Sequence, residues 1–196
     1  MFQNIPKEVA ARMDYLQALD KEHRGTDMPH VQRLRQIPPE TGKFIALLAV
    51  LAPGGTYLEI GTSGGYSALW LSLACREVGR KLVTFELMEE KINLAKETFK
   101  AAEVEDVVEL VEGDAREYLD GYKNVSFCFL DPEKEVYTDC YDKIIPNMIA
   151  GGILVADNAI SHKDVLEPFL NRAMSDNRVD AVVVPIGRGE LLCRKL

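Results

Sequence analysis

The spacing of apolar positions changes along the chain. Through about residue 40 the pattern is polar, with apolar residues at helical spacing as in VAARMDYLQAL, residues 9–19. It breaks around Gly25 to Pro29 and again at Pro38-Pro39. Beyond that point short apolar runs alternate with amphipathic stretches. The runs at 56–60, 81–86, 107–112, 125–130 and 152–156 predict strands. The stretches at 66–78, 88–102, 115–119 and 135–150, the last interrupted by Pro146, predict helices. Such alternation predicts parallel strands joined by right-handed helical crossovers. A helix over 164–174 then precedes two apolar runs, 179–185 and 190–195, that flank IGRG and predict a β-hairpin. The expectation is a doubly wound α/β fold of five parallel strands, completed by an antiparallel edge pair. No repeat, low-complexity tract or linker divides the chain. It reads as one domain over 1–196, with an N-terminal helical segment at 1–36 and a core at 37–196.

Composition narrows the partners. The chain is 47% hydrophobic and 28% charged, as in soluble globular proteins. A formal net charge of -8 argues against a nonspecific grip on nucleic acid or an anionic membrane, which needs a positive surface. A small anionic ligand held by local dipoles is still compatible. No leader opens the sequence and no run of 18 apolar residues occurs. Cys75, Cys128, Cys140 and Cys193 are scattered without a CxxC pair, which suits buried thiols in a reducing compartment. A cytoplasmic protein is expected.

The stretch TYLEIGTSGGYSALWLSLA, residues 56–74, holds a strand, three glycines and a helical pattern in one run. In an open doubly wound sheet, ligands bind beyond the carboxyl ends of the strands. Gly61, Gly64 and Gly65 permit unusual dihedrals there and let a ligand touch the backbone. The helix beginning near Tyr66 aims free N–H groups at that ligand, and Ser67 in its first turn adds a hydroxyl. The order is G-x-x-G-G rather than the dinucleotide fingerprint GxGxxG, with Glu59 two residues ahead. Glu86 ends the second strand, where an acid can accept both hydroxyls of a ribose. Asp114, after the third strand, either accepts from an adenine amino group or caps the short helix that follows.

Five motifs in this order, YLEIGTSGGYSALWL, TFELMEEKINLAKETF, ELVEGDAREYL, FCFLDPEKEVYTDCY and IAGGILVADN, resemble the cation-dependent, S-adenosylmethionine-dependent O-methyltransferases. That family includes catechol and caffeoyl-coenzyme A O-methyltransferases. The resemblance runs from about residue 37 to the end. It implies a class I methyltransferase (Rossmann-like) sheet of seven strands in the order 3-2-1-4-5-7-6, with strand 7 antiparallel. It implies that Glu59, Gly61, Thr62, Ser63, Gly65, Tyr66 and Ser67 surround the methionine part of the cofactor, Ser67 holding its carboxylate. Glu86 and Leu87 would serve the ribose, Asp114 and Ala115 the adenine, and Asp131 would border the cofactor too.

Asp131 ends the fourth strand, and Asp157 and Asn158 end the fifth. Neighbouring parallel strands lie about 4.8 Å apart, so three oxygen-bearing side chains can converge on one hard cation. Mg²⁺ favours six oxygens, and Mn²⁺ or Ca²⁺ would also suit the set. Two oxygens of a vicinal diol and one water would complete it, which fits a catechol-like acceptor. The family's three metal ligands fall on these residues. Lys134 stands where the catechol enzyme has the lysine of Asp-x-x-Lys, its general base. Near a divalent cation and a sulfonium the charged form of a lysine is disfavoured, so Lys134 is expected to take the phenol proton. AISHKDV replaces the Gly-Val pair that the family usually shows in the loop bordering the acceptor. The short N-terminal region argues against a bulky coenzyme A thioester.

His162 reads as a surface or helix-start residue, Trp70 as core or adenine-pocket wall, and His23 and His30 have no partner spacing. The amphipathic N-terminal segment docks either on its own domain or on a partner subunit, and resemblance to dimeric relatives favours the partner, in a homodimer. A nicotinamide-dependent oxidoreductase would share the strand, glycine turn and ribose acid, but not the carboxylates on strands four and five. An N-methyltransferase acting on exocyclic amines would place Asn/Asp-Pro-Pro-aromatic where this chain has LDPEKEVY. A noncatalytic S-adenosylmethionine-binding protein would have no use for Asp131, Lys134, Asp157 and Asn158 together.

Overall fold

Strands β1 (Thr56–Ile60), β2 (Leu82–Glu86) and β4 (Val125–Leu130) are short apolar runs covered on both sides, the mark of a parallel sheet between two helical layers. A computed structural model describes residues 1–196, with the side chain of His30 outside the described residues. Including β3 (Val108–Glu112), β5 (Met148–Ala156), β6 (Val179–Val184) and β7 (Glu190–Lys195), the sheet runs β3-β2-β1-β4-β5-β7-β6. Only the pairings of β7 with β5 and with β6 are antiparallel.

Alternation of side chains along each strand divides the core in two. Tyr57, Leu82, Phe127 and Val155 face the layer of α1 (Lys7–Arg24), α2 (Pro39–Leu51), α3 (Tyr66–Val78) and α4 (Glu89–Ala101). Leu58, Phe85, Cys128 and Leu154 face α5 (Ala115–Tyr118), α6 (Tyr137–Ile144) and α7 (Lys163–Met174). All four cysteines are free and buried. No helix among the described residues is long and apolar enough to cross a membrane.

Three expectations need correction. The stretch at 135–150 is not one helix: α6 stops at Ile144, a 3₁₀ turn carries Pro146, and Met148–Ala156 is already strand. Pro146 forces the change, since it has no N–H for the helical ladder. The stretch between the polar N-terminal region and β1, for which no element is expected, forms an apolar helix, α2, which opens on Pro39 and packs against α3. The stripe Val9, Met13 and Leu16 of α1 is buried within this chain's own core, 0–4% exposed, so it does not offer a partner an apolar face.

Candidate active site

The strand register assembles the site. Ile60 pairs with Leu130 and Leu130 with Ala156, so Gly61, Asp131 and Asp157 stand side by side at the carboxyl ends of β1, β4 and β5. Asp131 N donates to Ile60 O (2.9 Å) and Asp157 N to Leu130 O (3.1 Å), carrying the ladder one step past the strands. Antiparallel β7 starts where these strands end: Leu191 pairs with Ala156, which brings Glu190 beside Asp157.

The glycines answer first to the protein itself. Gly61 has φ +99°, and a Cβ there would strike the carbonyl oxygen of Asp131. Gly65, at φ +91°, caps α3 with its edge against Phe99. Left-handed dihedrals and close approach both require glycine at these two places. Beneath the loop Glu59 is wholly buried and accepts from Thr84 Oγ1 (2.6 Å). Burial raises its carboxyl to about 7, held back by the hydroxyls of Ser67 and Thr84. Ser67 thus faces Glu59 on the protein side of the loop. Thr62 likewise turns inward, sharing a 2.5 Å hydrogen bond with Thr84.

Glu86 is held by the backbone. Its Oε2 accepts from Ser63 N (2.7 Å), and its Oε1 from Leu87 N and Met88 N (2.9 Å each). Asp114 caps α5, accepting from Arg116 N (2.9 Å) and pairing with the Arg116 guanidinium (2.6 Å), which keeps its carboxyl below the usual carboxylate range. The cap that the sequence allows Asp114 is formed.

A cavity of about 530 Å³ opens over these strand ends. Gly61, Ser63, Glu86, Leu87, Asp114 and Ala115 line it, as do Asp131, Lys134 and Asn158. Glu59, Thr62, Gly65, Tyr66, Ser67 and Asp157 are buried and do not line it. Trp70 packs in the core against Phe2 and Tyr66.

Lys134 Nζ donates to Asp131 Oδ1 (3.1 Å), Tyr137 Oη (3.0 Å) and Pro132 O (3.2 Å). Tyr137 Oη in turn lies 3.2 Å from Asp131 Oδ1 and 3.3 Å from Asp157 O. Burial, then the nearby Asp157 charge, raise the Asp131 carboxyl to about 6. Asp157 Oδ1 accepts from Asn158 N (2.7 Å), the Glu190 carboxyl hydrogen-bonds the Asp157 carboxylate, and buried Asn158 Nδ2 has no partner among the described residues. Asn158 has φ +71°, left-handed backbone that Asn tolerates better than most residues. Glu190 accepts from Thr41 Oγ1 (3.2 Å), and burial beside Asp157 pushes its carboxyl far above the usual range. Among the described residues no group of three or more His, Cys, Asp or Glu is placed to hold a metal ion.

Several residues at the site escape a reading of the sequence. His162, expected at the surface or at a helix start, is the N-cap of α7 and also lines the cavity, its Nδ1 2.9 Å from Ser161 Oγ. Lys91, one helical turn into α4, is buried and lines it as well. Arg35 and Arg188 reach it from segments remote in sequence. Tyr137 carried a readable signal: it follows Lys134 by three residues, the spacing of one helical turn.

A family model described as O-methyltransferase matches residues 8–196. The caffeoyl-CoA O-methyltransferase of Medicago sativa is 26% identical over 201 residues, covering 90% of this chain and 81% of its own. Tricin synthase 2 of Oryza sativa subsp. japonica is 29% identical over 201 residues, covering 90% and 68%. Among solved structures, the O-methyltransferase TomG from Streptomyces achromogenes, in complex with SAM, superposes with a TM-score of 0.74 at 27% identity, over 92% of this chain and 88% of that one. The SAH-bound Podospora anserina methyltransferase PaMTH1 shares the fold, with a TM-score of 0.79 at 23% identity over 98% and 89%. The sheet order and its antiparallel β7 are those of class I methyltransferases, and with the family match spanning nearly the whole chain, this protein is an enzyme of the O-methyltransferase family.

Proposed function

We propose that the enzyme transfers a methyl group from S-adenosylmethionine to a hydroxyl of a small catechol-like acceptor, with a divalent cation held by Asp131, Asp157 and Asn158. The observation that carries this reading is the meeting of Glu86, Asp131, Lys134 and Asn158 around one cavity. The donor set fits a hard cation: two carboxylates and an amide oxygen, with a third buried carboxyl, Glu190, beside Asp157 whose raised value shows how crowded with negative charge this place is. A divalent cation there would supply Lewis acidity toward the acceptor hydroxyl. Glu86, fixed by three backbone N–H groups, keeps lone pairs for the cofactor ribose. Gly61, Ser63, Leu87, Asp114 and Ala115 would line the rest of its seat, with Glu59, Thr62, Gly65, Tyr66 and Ser67 supporting the loop from behind.

Lys134 would take the hydroxyl proton as the oxygen attacks the sulfonium methyl. The amine needs a lone pair for this, so it must give up a hydrogen bond it now donates to Asp131, Tyr137 or Pro132. Much of the rate would come from holding donor and acceptor in one cavity. Buried thiols and the absence of a spanning helix among the described residues support a cytoplasmic setting. We take the whole chain as one methyltransferase domain, since α1 shares its core. Homodimerisation rests on the resemblance to dimeric relatives alone and would use a face other than the buried stripe of α1. Light scattering should give about twice the chain's 21.9 kDa.

A rate–pH series tests the chemistry, using catechols and monophenols with and without Mg²⁺. Catechol turnover should vanish in chelator and return with Mg²⁺ or Mn²⁺, while monophenols stay poor acceptors. Lys134→Ala should lose about 10²–10⁴ in rate, a defect that shrinks as pH rises and more acceptor ionises unaided. Full activity in chelator would remove the cation, and a pH-independent defect would remove the base.

A further inference from the structure

Six lysines and arginines line the cavity, in a chain whose net charge is -8. Four have carboxylate partners: Arg24 with Asp20, Arg35 with Glu133, Arg116 with Asp114, and Lys134 with Asp131. Lys91 and Arg188 have none within ion-pair distance among the described residues. Lys91 is only 7% exposed, a costly place for an ammonium group. Burial lowers its amine below the ordinary lysine value. Arg188 sits in the β6–β7 turn and gives two N–H groups to neutral acceptors, Arg35 O (3.3 Å) and Gln36 O (3.2 Å).

Arg35 ties these cations together. Its guanidinium pairs with Glu133, its carbonyl receives Arg188, and its charge acts on Lys91, as do the charges of Glu86, Glu133 and Asp131. At φ +54° it holds the segment before α2 across to the loop after β4. The turn is clamped from the other side as well, because Ser161 N donates to Arg188 O (2.9 Å) and Ala159 N to Gly189 O (2.8 Å). Arg35, Lys91 and Arg188 thus line the same cavity as Lys134 and Asn158, with Glu133 paired to Arg35 and no carboxylate paired to Arg188 among the described residues. A neutral acceptor would leave Arg188, whose acceptors are both neutral, without a counter-charge. An anionic substituent would supply it, and the arginine fork suits a carboxylate or a phosphoryl group.

We propose that the methyl acceptor is an anion: a hydroxylated aromatic compound whose carboxylate or phosphoryl group is gripped by Arg188 together with Lys91. This rests on the methyl-transfer reading above and adds the charge class of the acceptor. The cofactor brings a carboxylate of its own, so the test separates the two. Calorimetry on protein saturated with S-adenosylhomocysteine and Mg²⁺ would compare 3,4-dihydroxybenzoate, 3,4-dihydroxybenzylphosphonate and the neutral methyl ester of the first. At least one acid should bind about tenfold or more tightly than the ester, and the better of the two identifies the anionic group. In Arg188→Gln that preference should fall to about twofold or less, with S-adenosylhomocysteine affinity unchanged. Arg188→Lys should keep part of it, and Lys91→Gln, on a different element, should also reduce it. Equal binding of acids and ester to the wild type would overturn the proposal, as would a preference that survives Arg188→Gln. Loss of S-adenosylhomocysteine affinity in Arg188→Gln would assign the cation to the cofactor and overturn it too. If none of the three binds, the catechol reading itself fails, and the inference fails with it.

Discussion

Glu59 shows how far a buried carboxyl can depart from its ordinary behaviour. Its folded value of about 7 lies above the unfolded one, so the fold favours the acid form. The stability tied to this group is whole below about pH 4.5 and is lost as pH rises through about 7. Glu59→Gln, which mimics the acid, should therefore match wild type at about pH 4. At pH 8 it should be the more stable protein, by up to about 3 kcal/mol in urea unfolding. A pH-independent difference would contradict this assignment. Glu86 is fixed in place by three backbone N–H groups. Glu86→Ala should weaken S-adenosylmethionine at least tenfold by calorimetry, at about 1–3 kcal/mol per buried group left unsatisfied. It should also lower the melting temperature, because Ser63, Leu87 and Met88 lose their acceptor. Wild-type affinity in that variant would end the ribose assignment.

At the scale of elements, one buried carboxylate joins three of them. Asp176 accepts from Arg178 N (3.0 Å) and the Arg178 guanidinium (2.6 Å) at the start of β6. It also accepts from Tyr141 Oη (3.2 Å) of α6 and Arg172 Nη1 (3.2 Å) of α7. Its side chain is 2% exposed, and Arg178 holds its carboxyl well below the usual range. A depressed carboxyl adds stability above its unfolded value, about 3.9, and loses it as pH falls further. Asp176→Ala should cost about 3 kcal/mol at pH 7, because it strands the Tyr141 hydroxyl and the Arg178 guanidinium, while Arg172 keeps Asp142. That cost should narrow below about pH 4. Denaturant unfolding at pH 7 and pH 3 would check both, and an unchanged gap would leave the ion pair without its proposed role.

For the molecule as a whole, α1 belongs to the core. Val9, Met13 and Leu16 are 0–4% exposed, and each is worth about 1.5–3 kcal/mol in burial. Their sum is comparable to the whole stability of a typical domain, about 5–15 kcal/mol. A chain lacking residues 1–24 should show no cooperative melt by near-ultraviolet circular dichroism. A two-state transition within a few degrees of wild type would mean that the helix is an appendage.

Strand and helix order, the strand ends bearing Glu86, Asp131, Asp157 and Asn158, and the resemblance to O-methyltransferases were legible in the sequence. Each depends on local periodicity or on a motif contained within one crossover. The start of β5 was not legible, because MIA reads equally well as helix or strand and only the pairing of Met148 with Val125 decides it. Nor was Ser67's orientation toward Glu59, since one helical residue may turn to solvent or core with the same neighbours in sequence. The tertiary structure alone decided what comes from afar. Antiparallel β7 carries Glu190 to Asp157, and Arg188 and Arg35, 153 residues apart, meet at one cavity mouth. Sequence by itself determined which elements form and which acids end them, because those are short-range properties of the chain. Which charges face one another is a property of the sheet's closing order and the burial it imposes, and no local pattern encodes it.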